Sequence, residues 1–344
     1  MKAIVIHAAG DLRIEERPIT APAAAQVAIE MQVGGICGSD LHYYQHGGFG
    51  PIRLREPMVL GHEVAGTVLE LGADVTGLEV GQLVAISPSR PCNGCEYCLR
   101  GQQNHCLNMR FYGSAMPFPH IQGAFQQRLI AEAAQCVPAD GLSAGEAAMA
   151  EPLAVSLHAV RQAGDLVGKT VLVTGCGPIG ILTIMAARRA GAGTVIATDL
   201  SDFTLSKAAQ AGADTVYNMA KKPDALSRFS AGKGSVDVQF ECSGAASALS
   251  DGVAVLRPGA TLVQLGLGGD MSIPMQSLTA KEITLRGSFR FDPEFEIAVD
   301  MMQKGLIDVK PLITHSLQLE SARKAFELAS DREIAIKAHI VFQS

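Results

Sequence analysis

The chain has 344 residues, a length that suggests two domains at roughly 150 residues each. Its composition is 48% hydrophobic and 18% charged, which supplies ample apolar surface for a core and excludes intrinsic disorder. Twenty-eight basic against thirty-four acidic side chains give a formal net charge of −6, so the cationic footprint of a nucleic-acid binder or of a protein that docks on acidic membranes is missing.

The opening MKAIVIHAAGD breaks its apolar stretch at His7 and has no small-residue cleavage site, so it does not read as a secretory signal. A cytoplasmic location is expected, where the eight cysteines meet a reducing compartment and serve as metal ligands or buried side chains rather than as disulfides. Up to about residue 150 the chain is glycine-rich, with short alternating apolar runs at 26–33, 64–71 and 83–86, a pattern that predicts a β-rich domain with long loops. From about Gly168 strand and helix patterns alternate: 171–174, 179–190, 194–198, 201–211, 215–217, 236–240, 245–256, 261–265 and 283–286. That βαβ rhythm predicts a parallel, doubly wound sheet. Residues 170–187 carry no charge and approach the length of a membrane span. Gly175, Gly177, Pro178 and Gly180 at their centre fit a strand, a turn and a helix instead. A helical pattern at 293–304 and an apolar strand near 338–342 are too short to fold alone and should return to the first domain. The expected fold class is α/β, with a β-rich domain at 1–152 and 287–344 and a Rossmann dinucleotide-binding domain at 153–286.

Three constellations carry chemistry. Cys92, Cys95, Cys98 and Cys106 form C-x2-C-x2-C-x7-C in a loop rich in Gly and Asn, which matches a closed tetrahedral structural zinc site. An iron–sulfur cluster or unligated thiols are the alternatives, and structural four-cysteine sites are typically zinc. Cys37 in GGICGSDLHYY and His62 with Glu63 in LGHEVAG are the ligand types of an open catalytic zinc, and Glu151 before Pro152 is a further candidate carboxylate. Finally, GCGPIG places Gly175, Gly177, Pro178, Ile179 and Gly180 between a strand and a helix. In that context the glycines admit a pyrophosphate and the helix start binds it. Asp199 ends the next strand, where a carboxylate accepts hydrogen bonds from both ribose hydroxyls and repels a 2′-phosphate. With no arginine in residues 200–206, NAD rather than NADP is expected.

Taken together, GGICGSDLHYY, the GHE segment, the four-cysteine lobe, AEPLAV, GCGPIG and LRGSFRF resemble the zinc-dependent medium-chain alcohol and polyol dehydrogenases, in the order found in the sorbitol dehydrogenase branch. The segment at 109–120, MRFYGSAMPFPH, resembles the L-idonate 5-dehydrogenases of that branch rather than typical sorbitol dehydrogenases. The resemblance implies a GroES-like catalytic domain followed by a Rossmann domain, with the active site in the cleft between them. It also implies two zinc ions per chain, NAD as cofactor and a homodimer or homotetramer. Carried over by position, Cys37, His62 and Glu63 would hold the catalytic zinc, with Glu151 either bound through water or exchanging with Glu63. Asp40 would orient the histidine ligand. Ser39 would stand at the relay hydroxyl, His42 where some relatives pass the proton to solvent, and Tyr43 and Arg290 at the substrate. Several sorbitol dehydrogenases carry an arginine five residues after the ribose aspartate, where this chain has Thr204.

The expected reaction is NAD-dependent oxidation of a secondary alcohol on a small sugar acid or polyol, foremost L-idonate to 5-keto-D-gluconate. Sorbitol, xylitol and L-threonine are the alternatives within the enzyme class. A substrate carboxylate buried near zinc needs a cation or aimed donors. Arg110, with Ser114 and His120 nearby in the segment that departs from sorbitol dehydrogenases, is the candidate for that contact beside Arg290. A zinc-ribbon nucleic-acid binder is the rival from another class, and no basic stripe near the cysteine lobe supports it.

Overall fold

The alternating run at 26–33 becomes part of the strand Gln26–Gly35, which lies inside a seven-stranded sheet in the structure, a computed structural model describing residues 1–343. The sheet runs in the order Cys136–Pro138, Leu83–Ile86, Glu63–Leu71, Gln26–Gly35, Lys337–Val341 and Ile313–Gln318, with Arg128–Glu132 also paired to Gln26–Gly35. The neighbours are antiparallel except for the pair Ile313–Gln318 and Lys337–Val341. In this register Gly35 stands opposite both Glu63 and His339, and Ile36 N–H donates to Ala338 O. The ends of three strands far apart in sequence therefore meet beside Cys37. One side of the sheet covers a core that includes Ile4, Val27, Ile29, Met31, Phe125, Phe326 and Ile340.

This first unit comprises Met1–Glu151, Phe295–Asp331 and the residues from Lys337 on; the second comprises Pro152–Glu294 and Arg332–Ile336. The second unit is a six-stranded sheet in the order Thr215–Asn218, Thr194–Asp199, Thr170–Thr174, Val236–Glu241, Leu256–Gln264 and Thr284–Gly287, parallel throughout. Numbered along the chain, that order is 3-2-1-4-5-6, the doubly wound arrangement whose ligands bind outside the carboxyl ends of the strands. Residues 287–294 and 332–336, which the sequence division gives to the catalytic domain, lie with this second unit. Ser288 N–H donates to Gln264 O, Glu294 bonds His158, and Ser201 Oγ donates to Arg332 O.

The helix Pro178–Arg189 starts as the sequence predicts, with Gly177 as its N-cap, proline at the first turn, and Arg188 and Arg189 in the last turn to match the helix dipole. Two site-bearing helices were not expected from pattern, Gly38–His46 and Ala150–Ala163. The first is nine residues long with few apolar positions, and Cys37 opens it while Gly47, at a φ of 68°, closes it. Among the described residues no helix is long and apolar enough to cross a membrane.

Candidate metal centres and dinucleotide site

In the first unit, one ligand atom each from Cys37, His62 and Glu63 lie within 4.8 Å of one another. Asp40 builds much of this. It is fully buried, accepts Cys37 N–H at 3.1 Å on one carboxylate oxygen, and accepts Gly61 N–H at 3.2 Å on the other. One side chain thus ties together the two backbone segments that carry Cys37 and His62. Asp40 Oδ1 also lies 3.8 Å from His62 Nδ1, beyond hydrogen-bond distance but close enough for a charge interaction with the imidazole.

His62 Nδ1 is buried and makes no hydrogen bond among the described residues, and the Phe111 ring packs 5.6 Å from the imidazole. Gly35 is required because a Cβ there would collide with Glu63 Oε2. The main residue that sequence reasoning missed is Lys337, whose buried ammonium donates to both Glu63 oxygens, at 2.8 and 2.6 Å, and to Ile36 O at 3.2 Å. It comes from a C-terminal apolar strand, where a single lysine gives no spacing signal.

Glu151, buried at the start of its helix, has its carboxyl raised to about 8 by burial, against the pull of His62 and with a push from Glu63 and Cys37. Burial likewise raises the Cys37 thiol, with Glu63 adding to the effect. A half-buried thiol, an imidazole with an orphaned nitrogen and adjoining carboxylates form a donor set suited to zinc, whose charge would reverse both shifts by favouring the ionised ligands.

Cys92, Cys95, Cys98 and Cys106 also lie within 4.8 Å of one another, against an edge of roughly 3.8 Å for a tetrahedron with ~2.3 Å zinc–sulfur bonds. Cys92 N–H and Asn108 N–H donate to Cys106 Sγ at 3.2 and 3.3 Å, and the Asn108 amide donates to Cys92 Sγ at 3.5 Å. The Asn108 amide and Gly94 N–H bring the Cys92 thiol down to about 6. These donors favour the Cys92 thiolate, whereas burial and the neighbouring thiols push Cys98 up to about 12, and all four ligand positions come from the chain.

Other predicted site residues fall in different places. Ser39 and His42 are three apart on the helix Gly38–His46 and so share a face. Tyr43 is buried in the core, its hydroxyl accepting Ala115 N–H at 3.0 Å. The His120 ring is buried and used structurally: Nε2 accepts Arg55 N–H at 2.9 Å while Nδ1 meets Pro117 O at 2.9 Å. Both ring nitrogens are thereby engaged, which counts against a substrate role. Arg110 and Phe111 are successive residues of one strand and point to opposite faces. Phe111 takes the side toward His62, while Arg110 lines a cleft of about 330 Å³ with Arg90, Tyr112 and Arg128. Arg290 belongs to the second unit, with a φ of 55° and its guanidinium 4.8 Å from the Phe289 ring centre.

In the second unit Gly175 adopts a φ of 87°, where a Cβ would crowd Ser243, and a Cβ on Gly180 would collide with Gly175 O. The turn therefore needs glycine at both positions for backbone reasons alone. Asp199 closes its strand beside this turn, accepting N–H groups from Cys176 at 2.6 Å, Leu200 at 2.7 Å and Ser201 at 3.0 Å. Glu241, fully buried at the next strand end and also unforeseen, accepts from Ser243 N–H at 2.9 Å, Gly244 N–H at 2.9 Å and the Gln264 amide at 2.7 Å. It fixes the loops after two strands at the edge where dinucleotides bind.

These centres accompany matches to known proteins along most of the chain. Residues 23–141 match the alcohol dehydrogenase GroES-like domain family, and residues 178–304 match the zinc-binding dehydrogenase family. The chain belongs to the zinc-dependent medium-chain alcohol dehydrogenases, enzymes that use zinc and a nicotinamide dinucleotide. It is similar to the L-idonate 5-dehydrogenase (NAD(P)(+)) of Escherichia coli K12, with 43% identity over 316 residues that span 91% of each chain. It is also similar to human sorbitol dehydrogenase, 38% identical over 94% of this chain and 91% of that one. The crystal structure of the E. coli L-idonate 5-dehydrogenase superposes with a TM-score of 0.95 at 41% identity, covering 99% of this chain and 98% of that one.

Proposed function

We propose that this dehydrogenase oxidises a secondary alcohol of a sugar acid, L-idonate to 5-keto-D-gluconate, with NAD as acceptor. The observation that carries the metal-dependent chemistry is the Cys37, His62 and Glu63 group, three ligand types of an open zinc site within 4.8 Å of one another. When bound, zinc acts there as a Lewis acid toward the alcohol, and the dinucleotide accepts hydride. The chain's own part is to hold and move the proton: Ser39 accepts it from the alcohol as it gives up its own hydroxyl proton along the relay, and His42, on the same helix face, passes a proton to solvent. Glu151 is the further carboxylate at the metal, bound through water or exchanging with Glu63. Cys92, Cys95, Cys98 and Cys106 hold the second, structural zinc.

For the cofactor, Asp199 favours NAD by accepting the ribose hydroxyls and repelling a 2′-phosphate. The E. coli relative carries NAD(P)(+) in its name, so the preference is to be measured by kcat/KM for each dinucleotide; a wild-type enzyme that prefers NADP overturns it. For the substrate, the identity to L-idonate 5-dehydrogenase supports the aldonate reading. A sorbitol or xylitol reading is favoured by another observation: Arg110 lies on the face opposite Phe111, and the His120 ring is spent on Arg55 and Pro117. Steady-state kinetics on L-idonate, D-gluconate, sorbitol and xylitol decide between them. A higher kcat/KM for sorbitol than for any aldonate removes the first reading.

A further inference from the structure

The glycine turn of the second unit has a neighbour that no local motif announces. A Cβ built on Gly177 would lie 2.7 Å from Arg332 Nη1, and among the described residues, local chain neighbours aside, the same guanidinium supplies the heavy atoms within 4 Å of that point. Gly177 is the N-cap of the helix Pro178–Arg189, the second glycine of G-x-G-x-x-G, whose missing side chain lets a pyrophosphate approach the backbone. Arg332 is separated from it by more than 150 residues of sequence and sits in a five-residue segment, Arg332–Ile336, that packs with this unit.

Its main chain is anchored at the other end of the same site. Ser201 Oγ donates to Arg332 O at 3.3 Å, and Ser201 N–H donates to Asp199 at 3.0 Å. The backbone of Arg332 is thus held at the ribose-binding strand end while its side chain reaches back to the turn. The side chain is exposed, so its position over the glycine does not serve a core.

We propose that Arg332 is a cofactor-binding residue whose guanidinium grips the diphosphate of the nicotinamide dinucleotide. The helix start offers N–H groups but no full positive charge, and Pro178, at its first position, lacks an N–H. A planar fork of donors above Gly177 supplies the missing charge and binds two phosphate oxygens at once. The contact belongs to the diphosphate rather than to a 2′-phosphate because the guanidinium lies at the turn, while only the backbone lies by Asp199. The inference rests on the dinucleotide occupying the turn at 175–180.

The test is NADH and NADPH binding to the zinc-loaded protein, followed by the rise in nicotinamide fluorescence, for wild type, Arg332→Ala, Arg332→Lys and Gly177→Val. Gly177→Val should abolish binding, which tests the placement alone; unchanged binding there removes the premise. Given that placement, Arg332→Ala should raise Kd for NADH and for NADPH by the same factor, about 10-fold to 100-fold, with partial recovery in Arg332→Lys. KM for the dinucleotide should rise without a fall in kcat, the melting temperature should hold, and the salt dependence of Kd should flatten. A Kd within twofold of wild type overturns the inference, as does a loss confined to NADPH, which would assign Arg332 to a 2′-phosphate instead.

Discussion

Lys337 Nζ lies 2.8 and 2.6 Å from the two oxygens of Glu63, and only 2% and 1% of the two side chains remain exposed. A buried carboxylate beside the half-buried Cys37 thiol and a second carboxylate, Glu151, would be costly without this ammonium. If Glu63 holds zinc as proposed, the metal would have to share its carboxylate with, or take it from, a cation already in place. Such competition would give the proposed exchange of Glu63 with Glu151 a physical basis.

Removing the cation should therefore matter most when no metal is present. Lys337→Met leaves Glu63 buried and unpaired in the zinc-free protein, a loss of about 3–5 kcal/mol. Zinc should recover much of that loss by supplying the positive charge Glu63 then lacks. Thermal melts of the chelator-treated and zinc-loaded forms would measure it, and equal drops in both forms would show that Lys337 acts only through packing.

The two metal centres should separate cleanly under mutation. Elemental analysis should find two zinc ions per wild-type chain and one in Cys37→Ala, with activity down by about a thousandfold or more, the loss expected when Lewis-acid stabilisation of several kcal/mol goes. Cys95→Ala should also retain one, but its main symptom should be a lower melting temperature, since the lobe around it has little apolar core of its own. A fully active Cys37→Ala protein would contradict the assignment.

Acid should find a weak point at His339. Burial first, and then the Lys337 charge, push its imidazole from the ordinary 6.5 down to about 3, and its Nε2 has no hydrogen-bond partner among the described residues. The unfolded chain takes up this proton as pH falls through about 6.5, whereas the native state stays neutral until about 3. The associated stability is therefore present above 6.5 and drains away below it, by up to about 1.4 kcal/mol per pH unit. His339→Leu should flatten that part of the urea-midpoint profile between pH 6.5 and 4. An unchanged slope would show that other groups set it.

Much of this was legible in the sequence because the signals are local. The C-x2-C-x2-C-x7-C spacing, the strand–GCGPIG–helix context and the terminal Asp199 each fit within a few turns of chain. Cys37 and His62 were legible only as ligand types, since their meeting depends on Gly35 pairing Glu63 in the sheet. Lys337, Glu241 and Arg332 were not legible at all. Lys337 and Arg332 meet partners more than 150 residues away, Glu241 bonds Ser243 and Gly244 beside it and Gln264 on the next strand, and a lone charged residue in an apolar strand or a loop has no periodicity to reveal it. Arg110 was misleading for a related reason. Its segment distinguishes the chain from sorbitol dehydrogenases, yet strand alternation turns Phe111 rather than Arg110 toward His62.

That alternation decides the last prediction, which concerns the partner of a substrate carboxylate. An aldonate differs from sorbitol by one negative charge, and a buried charge without a partner is costly, so a cation or a set of aimed donors must meet it. Arg110 is exposed and lines a separate cleft with Arg90 and Arg128, so Arg110→Ala should change the ratio of kcat/KM for L-idonate over sorbitol by less than about twofold. Arg290, at a φ of 55°, stands at the position to which the family resemblance assigns a substrate contact, and the prediction rests on that assignment. Arg290→Ala should lower kcat/KM for L-idonate by about 10-fold or more beyond its effect on sorbitol, with partial recovery in Arg290→Lys, which keeps the charge but not the fork. The measurement is steady-state kinetics of all four proteins on both substrates at saturating NAD. A selective loss on L-idonate in Arg110→Ala, with Arg290→Ala affecting both substrates alike, would return the carboxylate contact to the segment at 109–120.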